Sequence, residues 1–389
     1  MSMLVPQAII PTFLFRIFSF NGPMRPTVEG ALMYKTMKYF FLSRLTVISL
    51  VMGSVLVFNI SHAESIFEYP TPTAASSPAG LDFDSKGNLW FVEINRNKIG
   101  KLTPSEVELG TSKGIVEYEL PRANSKPQYL MVSRDDTVWF SEMGGNRIGR
   151  LDQASKKIQE YDIPTPNSEP HNLFESKDGM IWFTEFEANK IGRLDPKTGE
   201  IREFSVNEGH PHDLVVHDGY VWYTQGGKFW ARVFSNKIGF LELESGKVGE
   251  ILIPPDKSVP HGMFLASDNT IWFTQFFANK ISRLDFSEEF PPKVINYQIP
   301  GKRTGAHDLV VDYDKQLVWF VANHKDSIGK LDLTEGEPGT SKGIRLFTLP
   351  TKGAHPSNLV LDKEGNVWFT EMGMYFRGRY QNKIGTLVP

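Results

Sequence analysis

The chain has 389 residues, no cysteine and a formal net charge of −3. The absence of Cys excludes disulfides, thiolate metal sites and cysteine nucleophiles. Beyond residue 63 the balance is 37 basic against 44 acidic residues, which argues against nucleic acid or an anionic membrane as partner and leaves small molecules.

In chain order, residues 1–36 have no place in a fold and read as a non-native upstream extension. Lys38 and Arg44 then flank MKYFFLSR, Leu45 to Ile60 is almost wholly apolar, and Ser61-His62-Ala63 ends in a small-x-small pattern. Basic, apolar and small residues in that order make 37–63 a signal peptide, cleaved after Ala63. The apolar run is short for a membrane span. The mature protein is therefore expected to be exported, periplasmic or extracellular, monomeric and free of the membrane.

From 64 to 389 one pattern recurs seven times. Trp90, Trp139, Trp182, Trp222, Trp272, Trp319 and Trp368 are each followed by an aromatic residue, at steps of 49, 43, 40, 50, 47 and 49. Around each Trp stand four strand signals: a first like HDLVVD, a second like WFTE, a third like NKIGRLD and a fourth like EYxIP. Short strands at a period of 40–50 residues indicate an all-β fold, a seven-bladed β-propeller of four-stranded antiparallel blades. The last repeat has no fourth strand, and the missing copy, Phe67-Glu68-Tyr69-Pro70, stands at the N-terminal end. That strand is expected to complete the last blade and close the ring, hiding the open sheet edges.

Positions where the copies differ have escaped the needs of the fold. The residue opening the first strand runs Ala79, Gln128, His171, His212, His261, His307, Ser357. Four consecutive blades carry His, and the other three fold without it. Glu169, His210 and His355 lie two residues before this position in their blades. Strand alternation brings the end of the second strand to the same rim, which nominates Glu185, Gln225 and Gln275. His with carboxylate suits a hard or borderline divalent metal and proton transfer near neutral pH. Some of these His are expected to bind metal or substrate and others to move protons. Blades four and seven also carry longer loops, GGKFWARVF (226–234) and MGMYFRGRY (372–380). Their Phe229, Trp230, Arg232, Tyr375 and Arg377 are suited to stacking on a ring-bearing ligand and pairing with a negative group.

The WFTE…NKIGRLD…EYxIP…PHxL pattern, over residues 66–388, resembles the streptogramin (virginiamycin B) lyase family. The resemblance implies a seven-bladed propeller and a magnesium-dependent lyase that linearises a cyclic depsipeptide by elimination across its ester bond, without adding water. It implies a site with a Pro-His in one blade, a Glu-Pro-His in the next and a Glu ending a nearby second strand. Glu169-Pro170-His171 and Glu185 match, while the preceding blade has Gln128 in place of His and the following blade has His210-Pro211-His212. The expectation is a secreted metal-dependent lyase opening an ester or lactone of a cyclic small molecule. Its acid–base residues would be His171, His212, Glu169 and His210, and its Mg2+ ligands Glu185, His261 and His307. Gln225, Gln275, Phe229, Trp230, Arg232, Tyr375, Arg377 and His355 would bind substrate. A metal-dependent lactonase or esterase, or a non-catalytic ligand-binding propeller, are the alternatives.

Overall fold

The computed structural model describes residues 64–389 other than 229–230, 288–289 and 375–376, together with a two-residue pairing of Leu50–Val51 with Ser54–Val55. The expected leader and upstream extension otherwise lie outside the described residues. Seven four-stranded antiparallel sheets succeed one another along the chain. Blade one runs through Pro78–Phe83, Leu89–Glu93, Lys98–Leu102 and Ile115–Glu119. Blade three repeats it as Pro170–Glu175, Ile181–Glu185, Lys190–Leu194 and Ile201–Ser205. Blade seven combines Pro356–Leu361, Val367–Met374 and Arg379–Val388 with the N-terminal Ser65–Pro70. Ser65 pairs with Val388 and Pro70 with Lys383, so the ring closes as the sequence implies.

Each first strand touches the first strands of both neighbouring blades, so the first strands line the axis and the fourth strands lie outermost. Every first strand begins with a β-bulge. In blade three Pro170 pairs with Glu185 and Leu173 with Phe183, so His171 and Asn172 together oppose Thr184 alone. The same irregularity recurs in the other six blades. A bulge bends the strand and re-aims its side chains, and here it turns the variable position toward the axis.

The repeated aromatics fill the space between blades. All seven Trp are at most 5 % exposed. Six of them pack against the aromatic of their own fourth strand, as Trp90 does on Tyr118 at 5.7 Å and Trp182 on Phe204 at 5.6 Å. Blade four has Ile251 at that place, and Phe286 and Phe290 of blade five cover Trp222 instead, at 5.4 and 6.1 Å. The Phe after the Trp explains the Gly of NKIG: a Cβ on Gly192 would lie 2.1 Å from Phe183 Cζ, and Gly100, Gly149, Gly329 and Gly385 repeat the contact. Blade five carries Ser282 there, so the ring can be displaced at some cost. Gly192→Ala is expected to lower stability by about 1–3 kcal/mol through overpacking. An unchanged urea midpoint would show that Phe183 moves aside freely.

Candidate functional site

The segment entering each first strand is held before it reaches the axis. The residue two places before the ring position has left-handed φ in all seven blades: Ser77, Lys126, Glu169, His210, Val259, Gly305 and His355. For residues other than Gly this costs about 1–2 kcal/mol each, and for a β-branched residue such as Val259 it is an outlier. The Asn of the NKIG turn holds the entering segment in place. Asn146 Oδ1 accepts from Ser168 N at 2.7 Å, and Asn189 Oδ1 from His210 N at 2.9 Å. In blade six Asp326 replaces it and accepts from His355 N at 2.9 Å.

The hydroxyl of WFTE then locks the bulge. Thr184 Oγ1 accepts from Asn172 N at 3.0 Å and donates to His212 O of the next blade at 3.0 Å. Ser141, Thr224 and Thr274 do the same toward His171, His261 and His307.

Four imidazoles consequently converge. Ring centroids lie 5.5 Å apart for His171 and His212, 4.6 Å for His212 and His261, 4.0 Å for His261 and His307, and 6.4 Å for His171 and His261. His212 and His261 are nearly sealed, while His171 and His307 keep some exposure. His171 Nδ1 lies 3.1 Å from His212 O, His261 Nδ1 3.1 Å from His307 O, and His307 Nδ1 2.8 Å from Ser357 O. A carbonyl only accepts, so these three rings carry the proton on Nδ1 and present a lone pair at Nε2. His212 is reversed: its Nε2 donates to Gly227 O at 3.2 Å, and its buried Nδ1 has no partner among the described residues. Loss of hydration pushes His171 and His307 down to about 4. His212 and His261 are also held well below the usual imidazole range, by burial and then by the neighbouring His. All four are neutral near pH 7.

Around them stand groups that the repeat pattern did not single out. Phe186 packs on His212 and His210 at 4.7 and 5.0 Å, and Phe276 lies 6.0 Å from His261 and 4.9 Å from His324. Tyr129 lies 4.9 Å from His171. The position directly after the ring residue, which holds Tyr129, varies among the blades as the ring position does, and that variation was the available signal.

Glu169, His210 and His355 lie at the rim as expected. Glu169 is half-buried; burial and then Glu187 raise its carboxyl, opposed by Lys228 and Lys126. Lys228 of the blade-four loop forms an ion pair with Glu187. His210 Nδ1 donates to Phe186 O at 3.0 Å. Burial holds His355 below the usual imidazole range; Asp326 opposes this and Arg377 adds to it. Arg232 is exposed on the blade-four loop. Phe229, Trp230 and Tyr375 lie outside the described residues. The blade-seven insertion is a hairpin extension rather than a loop, with Gly373 paired to Tyr380 and Met374 to Arg379.

Glu185, Gln225 and Gln275 are not brought to the His ring. In a regular ladder His171 would oppose Glu185; the bulge puts Pro170 there. Glu185 is fully buried, and its carboxyl is pushed up to about 8 by burial and then by Glu203 of its own outer strand. Gln225 Nε2 donates to Asn207 O at 3.0 Å, and Gln275 Nε2 to Ser282 Oγ and Asn296 Oδ1 at 2.7 and 2.8 Å. Glu185 and Gln275 thus engage partners within their own blades, and Gln225 the segment that enters its own first strand. The expected donor set of Glu185 with His261 and His307 does not assemble, and among the described residues no three His, Asp or Glu are placed to hold one ion. Magnesium takes oxygen ligands in near-octahedral array, whereas the ring offers nitrogens and the rim carboxylates already face Lys126 and Lys228. The residues present do not fit that ion.

The buried carboxyl recurs. Glu93 and Glu371 are likewise pushed up to about 8, by burial and then by Glu117 and Glu68. Folded, these three groups hold their protons up to about 8; unfolded, they release them near 4.5. The stability they contribute is full below 4.5 and lost as pH rises toward 8. The depressed imidazoles act oppositely, their contribution present above 6.5 and lost as pH falls toward 4. Between 6.5 and 8 the carboxyls therefore act alone among these groups. Blades four and five already carry the neutral Gln at this place. Glu93→Gln, Glu185→Gln and Glu371→Gln combined are expected to flatten the fall in urea midpoint between pH 6.5 and 8, and parallel profiles for variant and parent would refute the assignment.

Residues 55–181 and 176–386 match the virginiamycin B lyase family. A streptogramin B lyase structure is 28 % identical, with a TM-score of 0.70 over 84 % of this chain and 97 % of its own. The virginiamycin B lyase of Staphylococcus aureus is 27 % identical, with a TM-score of 0.70 over 84 % of this chain and all of its own. A catalytically inactive variant of that enzyme, with quinupristin, is 28 % identical, with a TM-score of 0.69 and the same coverage. No curated protein matches the chain.

Proposed function

The chain belongs to the virginiamycin B lyase family, and from that premise we propose that it is a carbon–oxygen lyase opening an ester or lactone of a cyclic small molecule at the His ring. The observation that carries this reading is the set of neutral imidazoles whose tautomers are fixed by main-chain carbonyls. His171 is the general base: its Nε2 lone pair is free, it keeps some exposure, and Tyr129 and Phe186 flank it at 4.9 and 6.3 Å.

In the proposed reaction His171 Nε2 takes a proton from the carbon next to a carbonyl. The electron pair released becomes a carbon–carbon double bond, the ester's alkyl C–O bond breaks, and the carboxylate leaves without water. Glu169, whose carboxyl is raised from its ordinary value by burial, stands at the same rim as the group that would share a proton with the departing oxygen. Arg377 near His355 offers a charge to hold the carboxylate. No step is routed through a metal.

The experiment is a turnover assay in 18O-labelled water on cyclic depsipeptides and macrolactones. Elimination yields an unsaturated product with no label, and incorporation of label would favour the hydrolase. His171→Gln is expected to reduce kcat by about 10²-fold or more, the usual worth of a general base. The acidic limb of kcat/KM should fall near 4, where the free His171 titrates, and a limb at 6.5 would remove His171 from this role.

Export is part of the same proposal. The secreted protein should begin at Glu64, and N-terminal sequencing that reads upstream of Ala63 would overturn the assigned leader.

A further inference from the structure

The mouth of the propeller carries its charge unevenly. In blades six and seven the segments that enter the first strand and leave the second hold Lys302, Arg303, Lys325, Lys352, Arg377 and Arg379, all exposed. The acid of these segments is Asp326, whose two oxygens already accept from Gly353 N and His355 N at 2.8 and 2.9 Å. In blades three and four the corresponding segments set Glu169, Glu187 and Glu208 against Lys228 and Arg232. Beyond residue 63 the chain is acidic, so the six cations reverse its sign locally. Among the described residues none of the six forms an ion pair.

The segments are fixed against one another. His324 N donates to Thr304 O and Asn323 N to Gly305 O, both at 3.0 Å, which sets the chain at Arg303 beside the chain at Lys325. Asn323 Nδ2 is turned to Pro356 O at 2.8 Å, leaving Oδ1 to accept from His355 Nδ1 at 3.3 Å. Gly373 N donates to Ala354 O at 3.0 Å and joins the blade-seven hairpin to the group. His324 occupies a prepared space. A Cβ on Gly305 would lie 3.0 Å from its ring, and the other six blades carry a side chain at that left-handed position. Phe276 packs edge-on against His324 at 4.9 Å and lies 6.1 Å from His307, while His324 and His355 lie 6.4 Å apart. The cationic arc therefore begins where the His ring ends. Burial first, and then His355, Arg303 and Lys325, hold His324 below the usual imidazole range. The positive charge thus resides on Lys and Arg, and the imidazoles between them are neutral hydrogen-bonding groups.

We propose that Arg303, His324 and Lys325 form a subsite for a carboxylate carried by the substrate, so that the ester opened at the His ring belongs to an acidic molecule. The inference rests on the lyase reading for the reacting ester. There Arg377 faces the carboxylate that departs; the blade-six cations are left for a second one. Unpaired charge of one sign draws an opposite charge from a distance and raises the rate of encounter. A guanidinium also receives a carboxylate through paired N–H donors. Continuity with the His ring favours a group of the substrate over a separate ligand, because one molecule lying from His307 to His324 meets both.

Two cyclic depsipeptides that differ only in a Glu or a Gln side chain test this on the whole exported chain. In dilute buffer, calorimetric titration should show the Glu ring binding about tenfold tighter than the Gln ring. The difference should shrink to about twofold when chloride is raised to about 0.5 M. In the double variant Arg303→Gln, Lys325→Gln the two rings should bind alike. Equal affinity for the parent protein, no binding of the Glu ring, or a preference that survives in the double variant would overturn the subsite. If the double variant does not fold, the salt-dependent preference of the parent decides. Binding is read without turnover: a protein that prefers the Glu ring but cleaves neither ring keeps the subsite and loses the lyase reading. Elimination on both rings with equal affinity does the reverse.

Discussion

The bulge at the mouth of each innermost strand is the constraint on which the remainder depends. Two residues face one, so the strand cannot continue its alternation, and the first of the pair turns toward the axis. A left-handed residue and usually a Pro precede the bulge, and a Thr or Ser hydroxyl in five blades seals it from behind. Because that hydroxyl in blades two to five also reaches the ring-position carbonyl of the next blade, the bulges are linked around the axis. The carbonyls of His212 and His307 each accept twice, from a hydroxyl of the preceding blade and from its imidazole. The fold thus chooses the tautomer of the rings it presents.

That arrangement divides the ionisable groups by place. Along the axis the imidazoles are neutral because they are desolvated and crowd one another. Farther out within blades seven, one and three a second carboxyl, Glu68, Glu117 or Glu203, is held below its ordinary range despite burial by Lys and Thr contacts. Its partner from the second strand must then hold a proton. Blade five reaches the same end without charge, using Gln275, Ser282 and Asn296. The amide there is a neutral counterpart of the protonated acid in blades one, three and seven, which explains how Glu and Gln alternate at one register without disturbing the ring.

The distribution of information in the sequence follows from this. Trp spacing, ring closure and the shared register of four His were legible because repetition exposes whatever is not repeated. The direction of Glu185 was not legible. A rule of strict alternation puts Glu185 opposite His171, and only the extra residue of the bulge puts Pro170 there. Gln225 and Gln275 were misplaced for the same reason. Tyr129 was hidden differently: it follows the position that drew attention, and in a regular strand it would face away. A column that varies from Gly to Tyr to Asp across seven copies carries the same signal as the His column, and the bulge explains why two consecutive columns are released from the fold at once.

The frame is sevenfold but its contents are not, and that asymmetry orients the chemistry. Blades three to six carry the imidazoles in one arc; Ser357, Ala79 and Gln128 of blades seven, one and two complete the circle without a base. The two insertions fall on different sides of this division. The blade-four loop enters the arc, where Gly227 O captures His212 and Gly226 has no room for a Cβ, which would lie 2.7 Å from Pro260 O. It holds one imidazole turned away from the orientation of its neighbours. The blade-seven hairpin rises beside the arc's open end and carries Arg377 toward His355. A substrate lying across the mouth would meet proton acceptors on one side and the exposed guanidinium of Arg377 on the other. The elimination proposed for this ring would use that polarity: a base where the proton leaves, and a cation where the carboxylate departs.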